Sequence, residues 1–281
     1  SATISAGSGI SVSEAATSIG KMTVAGNALV VSGNSAGPGN TAQGVSDEGY
    51  LTLSVNTGST AELVIKDSGT IYARTLQQRG GLTNMTIQDN GEFHVFDVFH
   101  HAAPQLGVAT VTGDPFGAPV RSSHVAANVE SEFNLLITGN GKMSIDTAVD
   151  DGSGFLTQGL VLAGGNNQGG ITTNGGVANV EHRDNASFVI QQDLYMTAAS
   201  AGTPIGAAST LRVVGPDVEA RINGDLLMSY DPILQASNPD PSTLSAVITG
   251  SDHSTIEVGG DARIEFGNLA VELSGYAPSG G

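Results

Sequence analysis

Short segments that alternate apolar and polar residues recur along this chain, each introduced by a turn-forming Asp, Asn, Gly or Ser. The clearest copies are SGTIYA (68–73), NGEFHV (90–95), NGKMSI (140–145), NASFVI (185–190), VEARIN (218–223) and HSTIEV (253–258). Alternation with period two is typical of a β-strand with one buried face. Repetition of such strands along one chain predicts a β-solenoid, in which successive turns of chain stack as rungs.

The copies align on the second apolar position of each strand. The aligned residues are Ala73, Val95, Ile145, Ile190, Ile222 and Val258. Because their spacing is uneven, we expect rungs that carry loops of different length rather than a repeat of fixed length. We predict that these residues form one interior row, and that the residues two positions earlier form a second. The second row is Ile71, Phe93, Met143, Phe188, Ala220 and Ile256.

Two further strand types accompany the first. One opens with an acidic residue, in DLYM (193–196), DLLM (225–228) and DARI (261–264). The other precedes the turn, in LVIKDSG (63–69), MTIQDNG (85–91), LLITGNG (135–141), LRVVGPD (211–217) and AVITGSD (246–252). Three strand types per turn of chain predict a roughly triangular rung. Only residues 13–22 have a pattern that favours a short helix.

Composition agrees with this fold. Gly accounts for 39 of 281 residues, which suits many tight corners, and the hydrophobic residues are mostly small and aliphatic. Strand signals run from Ile10 to Leu273 without a charged or proline-rich linker, so we predict one β-solenoid domain over residues 1–281. Four insertions are predicted to interrupt it, at 34–47, 100–128, 163–176 and 230–243.

The acidic character of the chain narrows its partners. It has 10 basic and 27 acidic residues and a net charge of −17, which argues against nucleic acid and anionic membranes as partners. Cysteine is absent, which excludes disulfides and thiolate metal sites and is compatible with an extracellular setting. The sequence has no apolar stretch long enough to predict membrane insertion, and it does not begin with a signal peptide. We therefore expect the mature form of a secreted protein.

The candidate metal ligands are Asp146, Asp150 and Asp151, in the segment IDTAVDDGSG. Carboxylates beside a Gly-rich turn suit calcium, which takes oxygen ligands. The segment does not match the EF-hand loop, and an acidic turn without a metal is the alternative. We therefore expect weakly bound calcium at most, and no other cofactor.

No catalytic constellation is recognisable. His100 and His101 could bind zinc, but no third ligand follows at a spacing typical of zinc sites. Loops could bring Asp97, Asp114 and Asp150 together, and two carboxylates ~5–10 Å apart suffice for glycoside hydrolysis. The absence of Trp weakens this reading, because sugar-binding clefts commonly use aromatic platforms.

The recurring Asp193, Asp225 and Asp261 fall at the same place in three successive rungs. Carboxylates stacked at the ~4.8 Å spacing of neighbouring strands would repel one another. We predict a corner role instead, in which each Asp accepts hydrogen bonds from backbone N–H groups.

The phrases IQQDLYMT (190–197), INGDLLMS (222–229) and VGGDARIEFG (258–267) resemble the V-G-G-D-L-x-I-G phrases of secreted bacterial Gly-rich β-solenoid surface proteins. These include autotransporter passenger-type repeats and surface proteins with PEP-CTERM sorting tails. The resemblance covers residues 180–273 best, and the sorting tail is missing. It implies an all-β, right-handed parallel β-helix on the cell surface, with structural, adhesive or matrix roles, and it offers no catalytic residues to transfer to this chain.

We therefore expect an extracellular structural protein that assembles with itself. Ile4, Ile10 and Val12 near the start, and Leu269 and Val271 near the end, read as strands without helical caps, and such ends favour head-to-tail joining into a filament over a closed oligomer. The alternatives are a β-helix enzyme acting on polysaccharide, as a lyase or glycoside hydrolase, and a calcium-dependent adhesin that binds extracellular glycans.

Overall fold

The computed structural model describes residues 2–7, 9–32, 50–73, 75–78, 80–95, 121–125, 131–145, 157–163, 176–197, 207–215, 218–231, 236–237, 242–249 and 254–274. Across these ranges the chain forms 26 β-strands and no helix. All but two of the strands belong to three parallel sheets of eight strands each.

Each sheet contains one strand from every rung. Sheet A contains β1 (Thr3–Ala6), β4 (Leu29–Ser32), β7 (Thr70–Ala73), β10 (Glu92–Val95), β13 (Lys142–Ile145), β16 (Ser187–Ile190), β19 (Glu219–Ile222) and β24 (Thr255–Val258). Sheet B contains β2 (Gly9–Ser13), β5 (Tyr50–Ser54), β8 (Thr75–Gln77), β11 (Arg121–Val125), β14 (Thr157–Leu162), β17 (Leu194–Met196), β20 (Leu226–Met228) and β25 (Ala262–Ile264). Sheet C contains β3 (Ile19–Val24), β6 (Thr60–Ile65), β9 (Leu82–Ile87), β12 (Glu132–Ile137), β15 (Val177–Arg183), β18 (Ala208–Val214), β23 (Ser242–Thr249) and β26 (Gly267–Ser274).

The chain passes from sheet A to sheet B to sheet C in every rung and then begins the next rung. Neighbouring strands in each sheet therefore come from consecutive rungs, and all of these pairs are parallel. This arrangement confirms the predicted fold class, an all-β parallel β-helix with insertions between strands. A short antiparallel pair, β21 (Tyr230–Asp231) and β22 (Ala236–Ser237), branches off between β20 and β23.

The predicted interior rows of sheet A are confirmed. Val95 pairs in register with Ala73 on one side and with Ile145 on the other, and the row continues through Ile190, Ile222 and Val258. Its members are fully buried as far as Ile222, whereas Val258 in the last rung is only partly covered. The intervening Arg221 and Glu257 are exposed, as expected for residues that point outward.

Tight corners join sheet C to the next strand of sheet A. Gly26, Asp67, Asp89, Gly139 and Asp184 share a left-handed backbone, with φ between 57° and 64°. Gly and Asp tolerate this conformation better than most residues. The carboxylates also bridge rungs, because Asp67 accepts the N–H of Gly26 and Asp184 accepts the N–H of Gly139, each at 3.1 Å.

Two local predictions are wrong. Residues 13–22 form no helix: Ile19 begins β3, and a Cβ at Gly20 would lie 1.6 Å from the carbonyl oxygen of Val12, so strand pairing and close backbone packing override the weak helical pattern. The insertion predicted at 100–128 is too long, because Arg121–Val125 forms β11 and continues sheet B. Residues 34–47 lie outside the described ranges, and the ladder resumes at Ser242, within the last predicted insertion.

Strand β15 was not predicted, because a histidine stands in its apolar pattern. His182 pairs in register with Ile137 and Val213, in an otherwise aliphatic interior row. It is 0% exposed, and neither ring nitrogen has a hydrogen-bond partner in the part of the chain that the structure describes. By contrast, the buried Gln78 donates from Nε2 to the carbonyl oxygens of Gly80 and Gly81, at 3.0 and 3.1 Å.

Candidate functional surfaces

The predicted metal and catalytic residues all fall outside the part of the chain that the structure describes. Asp146, Asp150 and Asp151 lie outside the described residues, and so do Asp97 and Asp114 of the proposed catalytic set. The same holds for the His100-His101 pair. Among the described residues, no group of three or more His, Asp or Glu side chains is arranged to hold a metal ion.

The predicted corner role is confirmed for Asp193 and Asp225. Asp193 Oδ1 accepts the backbone N–H of Asp225, and Asp225 Oδ1 accepts the backbone N–H of Asp261, each at 2.8 Å. Each carboxylate thus caps the start of the sheet B strand one rung further on. Asp261 ends the row, because the described chain has no rung beyond it.

Glycines make room for this row. A Cβ at Gly224 would lie 2.3 Å from Asp193 Oδ1, and a Cβ at Gly260 would lie 2.2 Å from Asp225 Oδ1. Gly before Asp in the corners 223–225 and 259–261 therefore has a packing reason. The carboxylate of the preceding rung occupies the space that a side chain would fill.

Polar side chains gather on the outer face of sheet A, where β7, β10 and β13 adjoin. His94 Nδ1 lies 2.8 Å from Ser144 Oγ, and His94 Nε2 lies 3.2 Å from Glu92 Oε2. Lys142 Nζ donates to Glu92 Oε1 at 3.0 Å. Partial burial raises the pKa of Glu92, but the hydrogen bonds from Lys142 and His94 and the positive charge of Lys142 outweigh it, so the net pKa lies below the usual value.

This group has the order hydroxyl, imidazole, carboxylate that some hydrolases use, but it lacks other parts of such a site. Acyl transfer needs N–H donors aimed at the developing oxyanion. In-register pairing of β10 with β7 and β13 engages the backbone of these strands in the sheet ladder. Tyr72 stacks beside His94, with 5.2 Å between ring centroids. We interpret the group as a polar ladder that ties three rungs together.

A second ionic group ties the last rung to the body on the outer face of sheet C. Arg212 donates to both carboxylate oxygens of Glu272 at 2.8 to 3.1 Å, and to Glu181 at 2.8 Å. Ser245 also donates to Glu272 at 2.6 Å. The hydrogen bonds from Arg212 and Ser245 hold the pKa of Glu272 below its usual value. The guanidinium thereby links β15, β18 and β26.

Every large hydrophobic side chain that is exposed in the described part of the chain lies in the first or the last rung. Ile4 and Ile19 belong to the first rung, and Ile264, Phe266, Leu269, Val271 and Leu273 belong to the last. Leu269 and Val271 are 66% and 67% exposed. They continue the interior rows of Leu244 and Ala246, with which they pair in register. Within the described residues, the core therefore reaches the surface at the first and the last rung.

The sides are covered by contrast. Val161, Tyr195 and Leu227 form an apolar row on the outer face of sheet B, yet they are only 4% to 8% exposed. Outward residues on sheets A and C are largely polar. The described chain offers no helix that is long and apolar enough to cross a membrane.

These features define a parallel β-helix with polar or covered sides and apolar ends. Comparisons with protein-family models, with curated proteins and with solved structures found no match for the chain.

Proposed function

We propose that this is an extracellular structural protein, of the kind found on bacterial surfaces, that associates end to end with further copies of itself. One observation carries the proposal: the exposed large hydrophobic residues of the described chain are confined to the two terminal rungs. Exposed apolar patches of this kind mark association sites in folded proteins.

The free energies of burial and of association favour assembly that depends on the protein concentration. Full burial of a Leu, Ile or Val side chain contributes about 1.5–3 kcal/mol, and the terminal side chains are already partly covered. From their exposed fractions, Ile4, Ile264, Leu269 and Val271 together would contribute about 3–7 kcal/mol. Association costs about 4–15 kcal/mol, so apolar burial alone offsets only the lower part of this range. Backbone hydrogen bonds along three open strand edges would supply the remainder.

Charge supports association through ends rather than sides. With a net charge of −17, copies that approach side by side repel one another, and the apolar row on sheet B is already buried. A head-to-tail contact does not close on itself and extends as a filament. Moderate salt screens the repulsion and is expected to promote assembly.

Sedimentation velocity over a wide concentration range tests the proposal. We expect a shift to larger species as the protein concentration rises. Leu269→Asp should abolish that shift, because it places a carboxylate in the apolar end. Asn268→Asp is the matched control, since it adds the same charge to an exposed outward position of the same strand. A wild-type chain that stays monomeric at all concentrations would refute the proposal.

A further inference from the structure

We propose that the last rung of one copy pairs with the first rung of the next in continuous register, so that β24, β25 and β26 lie against β1, β2 and β3. This inference rests on the proposed end-to-end assembly and specifies its geometry. The partner is a second copy of this chain, and the contact surface comprises the two terminal rungs.

The interior rows support this register. In sheet C, one row begins at Met22 in the first rung and ends at Leu269 in the last. The neighbouring row begins at Val24 and ends at Val271. Joining the ends in register would therefore place Leu269 on Met22 and Val271 on Val24 of the next copy. Apolar residues meet apolar residues without any shift between the strands.

The rows of sheet A match in the same way. Ile4 and Ala6 stand at the start of the two rows that end at Ile256 and Val258. Ile4 is 58% exposed, while Ile256 and Val258 are only partly buried. Within the described residues, no strand lies against the outer edge of either terminal rung, and each rung would supply such strands to the other.

The corner between sheets A and B supplies an independent match. In the last three rungs, three residues separate the final interior residue of sheet A from the first of sheet B, as in Val258-Gly259-Gly260-Asp261-Ala262. The first rung has the same spacing, from Ala6 to Ile10. In this alignment Gly9 takes the position of Asp261 in the following rung.

This alignment gives the last aspartate a partner. Asp193 and Asp225 each accept the N–H of the aligned residue one rung further on. The corresponding partner of Asp261 would be the N–H of Gly9 in the next copy. The carboxylate row therefore continues across the junction and favours this register over one shifted by a residue.

The opposite orientation lacks this complementarity. If two last rungs met, the acidic residues of one last rung, among them Glu257 and Asp261, would come close to those of the other, and like charges repel. Arg263 of the last rung already pairs with Glu265 at 2.8 Å, and Arg221 of the preceding rung already pairs with Glu257 at 3.0 Å. The charges of the last rung therefore disfavour tail-to-tail pairing.

Engineered cysteines test the register directly, because the chain contains no cysteine. Ser5 and Glu257 are exposed and stand at the two ends of one outward row of sheet A. In-register neighbours have Cα atoms about 4.8 Å apart, within the range that a disulfide spans. Under mild oxidation, the Ser5→Cys/Glu257→Cys variant should form a ladder of covalent oligomers on a non-reducing gel.

Two controls separate the possible outcomes. Lys21→Cys/Glu257→Cys, which moves the first cysteine to the outer face of sheet C, should give no ladder. Glu257→Cys alone should give no dimer. Covalent dimers of Glu257→Cys, from a chain that still assembles in sedimentation, would overturn the register while leaving the assembly intact. A chain that neither assembles nor cross-links would overturn both.

Discussion

Protonation of His182 is expected to destabilise the solenoid at mildly acidic pH. The imidazole is fully buried between Ile137 and Val213, and neither nitrogen has a described partner. Burial disfavours the charged ring and lowers its pKa from 6.5 to about 4. In the unfolded chain the pKa returns to about 6.5.

The sign and size follow from these two values. Between pH 6.5 and about 4 the unfolded chain binds a proton that the folded chain does not. The free energy of unfolding therefore falls as the pH falls through this window. A pKa difference of about 2.5 units at about 1.4 kcal/mol per unit gives a loss of about 3 kcal/mol. Below pH 4 the folded chain binds the proton too, and this loss stops.

Urea unfolding at a series of pH values between 7 and 4 measures the effect. His182→Leu should flatten this part of the pH profile and stabilise the protein at pH 7, because it removes two buried, unpartnered nitrogens at about 1–3 kcal/mol. His182→Gln is the matched control, which loses the titration but keeps a buried polar group. A wild-type profile as steep as that of His182→Leu would refute the argument. The paired carboxylates of Glu92 and Glu272 lose their contribution only below about pH 4.5, outside most of this window.

Three further predictions follow from the fold and the acidic surface. Ile222→Asp buries an unpaired carboxylate at a side chain that is 1% exposed and should cost several kcal/mol in urea unfolding, roughly 3–5, whereas aspartate at the outward Arg221 should cost far less. Asp225→Ala removes the acceptor for the N–H of Asp261 and should lower the free energy of unfolding by about 1–2 kcal/mol. An unchanged midpoint in urea unfolding would show that the aspartate row is not formed. If the Asp146, Asp150 and Asp151 segment binds calcium, a chelator should lower the melting temperature by a few degrees. An identical melting temperature with and without chelator would refute calcium binding.

The repeat pattern was sufficient to predict the fold where a rung contains aliphatic residues. The row from Ala73 to Val258 could be aligned because small and β-branched residues recur after turns, and strand pairing then follows that alignment. The same logic identified Asp225 as a corner residue, since its position relative to the strand repeats. Both features, the interior row and the corner aspartate, depend on local alternation and on turn residues, so both can be predicted from a single sequence.

Features that depend on neighbouring rungs were not accessible in this way. Strand β15 is not recognisable from the sequence, because His182 interrupts its apolar pattern and a titratable residue suggests a surface position. The sequence around Gly20 is compatible with a helix. In the structure, the backbone of Val12 lies so close to residue 20 that a side chain would not fit there. The group of Glu92, His94 and Ser144 arises across rungs whose aligned residues lie 50 positions apart, a distance at which local pattern carries no information.

We propose that the apolar ends of this solenoid join copies into filaments. Negative-stain electron microscopy of the purified protein at high concentration tests it most directly. Eight rungs at about 4.8 Å each give an axial repeat of about 38 Å per copy. We expect unbranched filaments with this repeat, which disappear in Leu269→Asp. A uniform field of single short particles, for the wild-type chain at the same concentration and in moderate salt, would contradict the account.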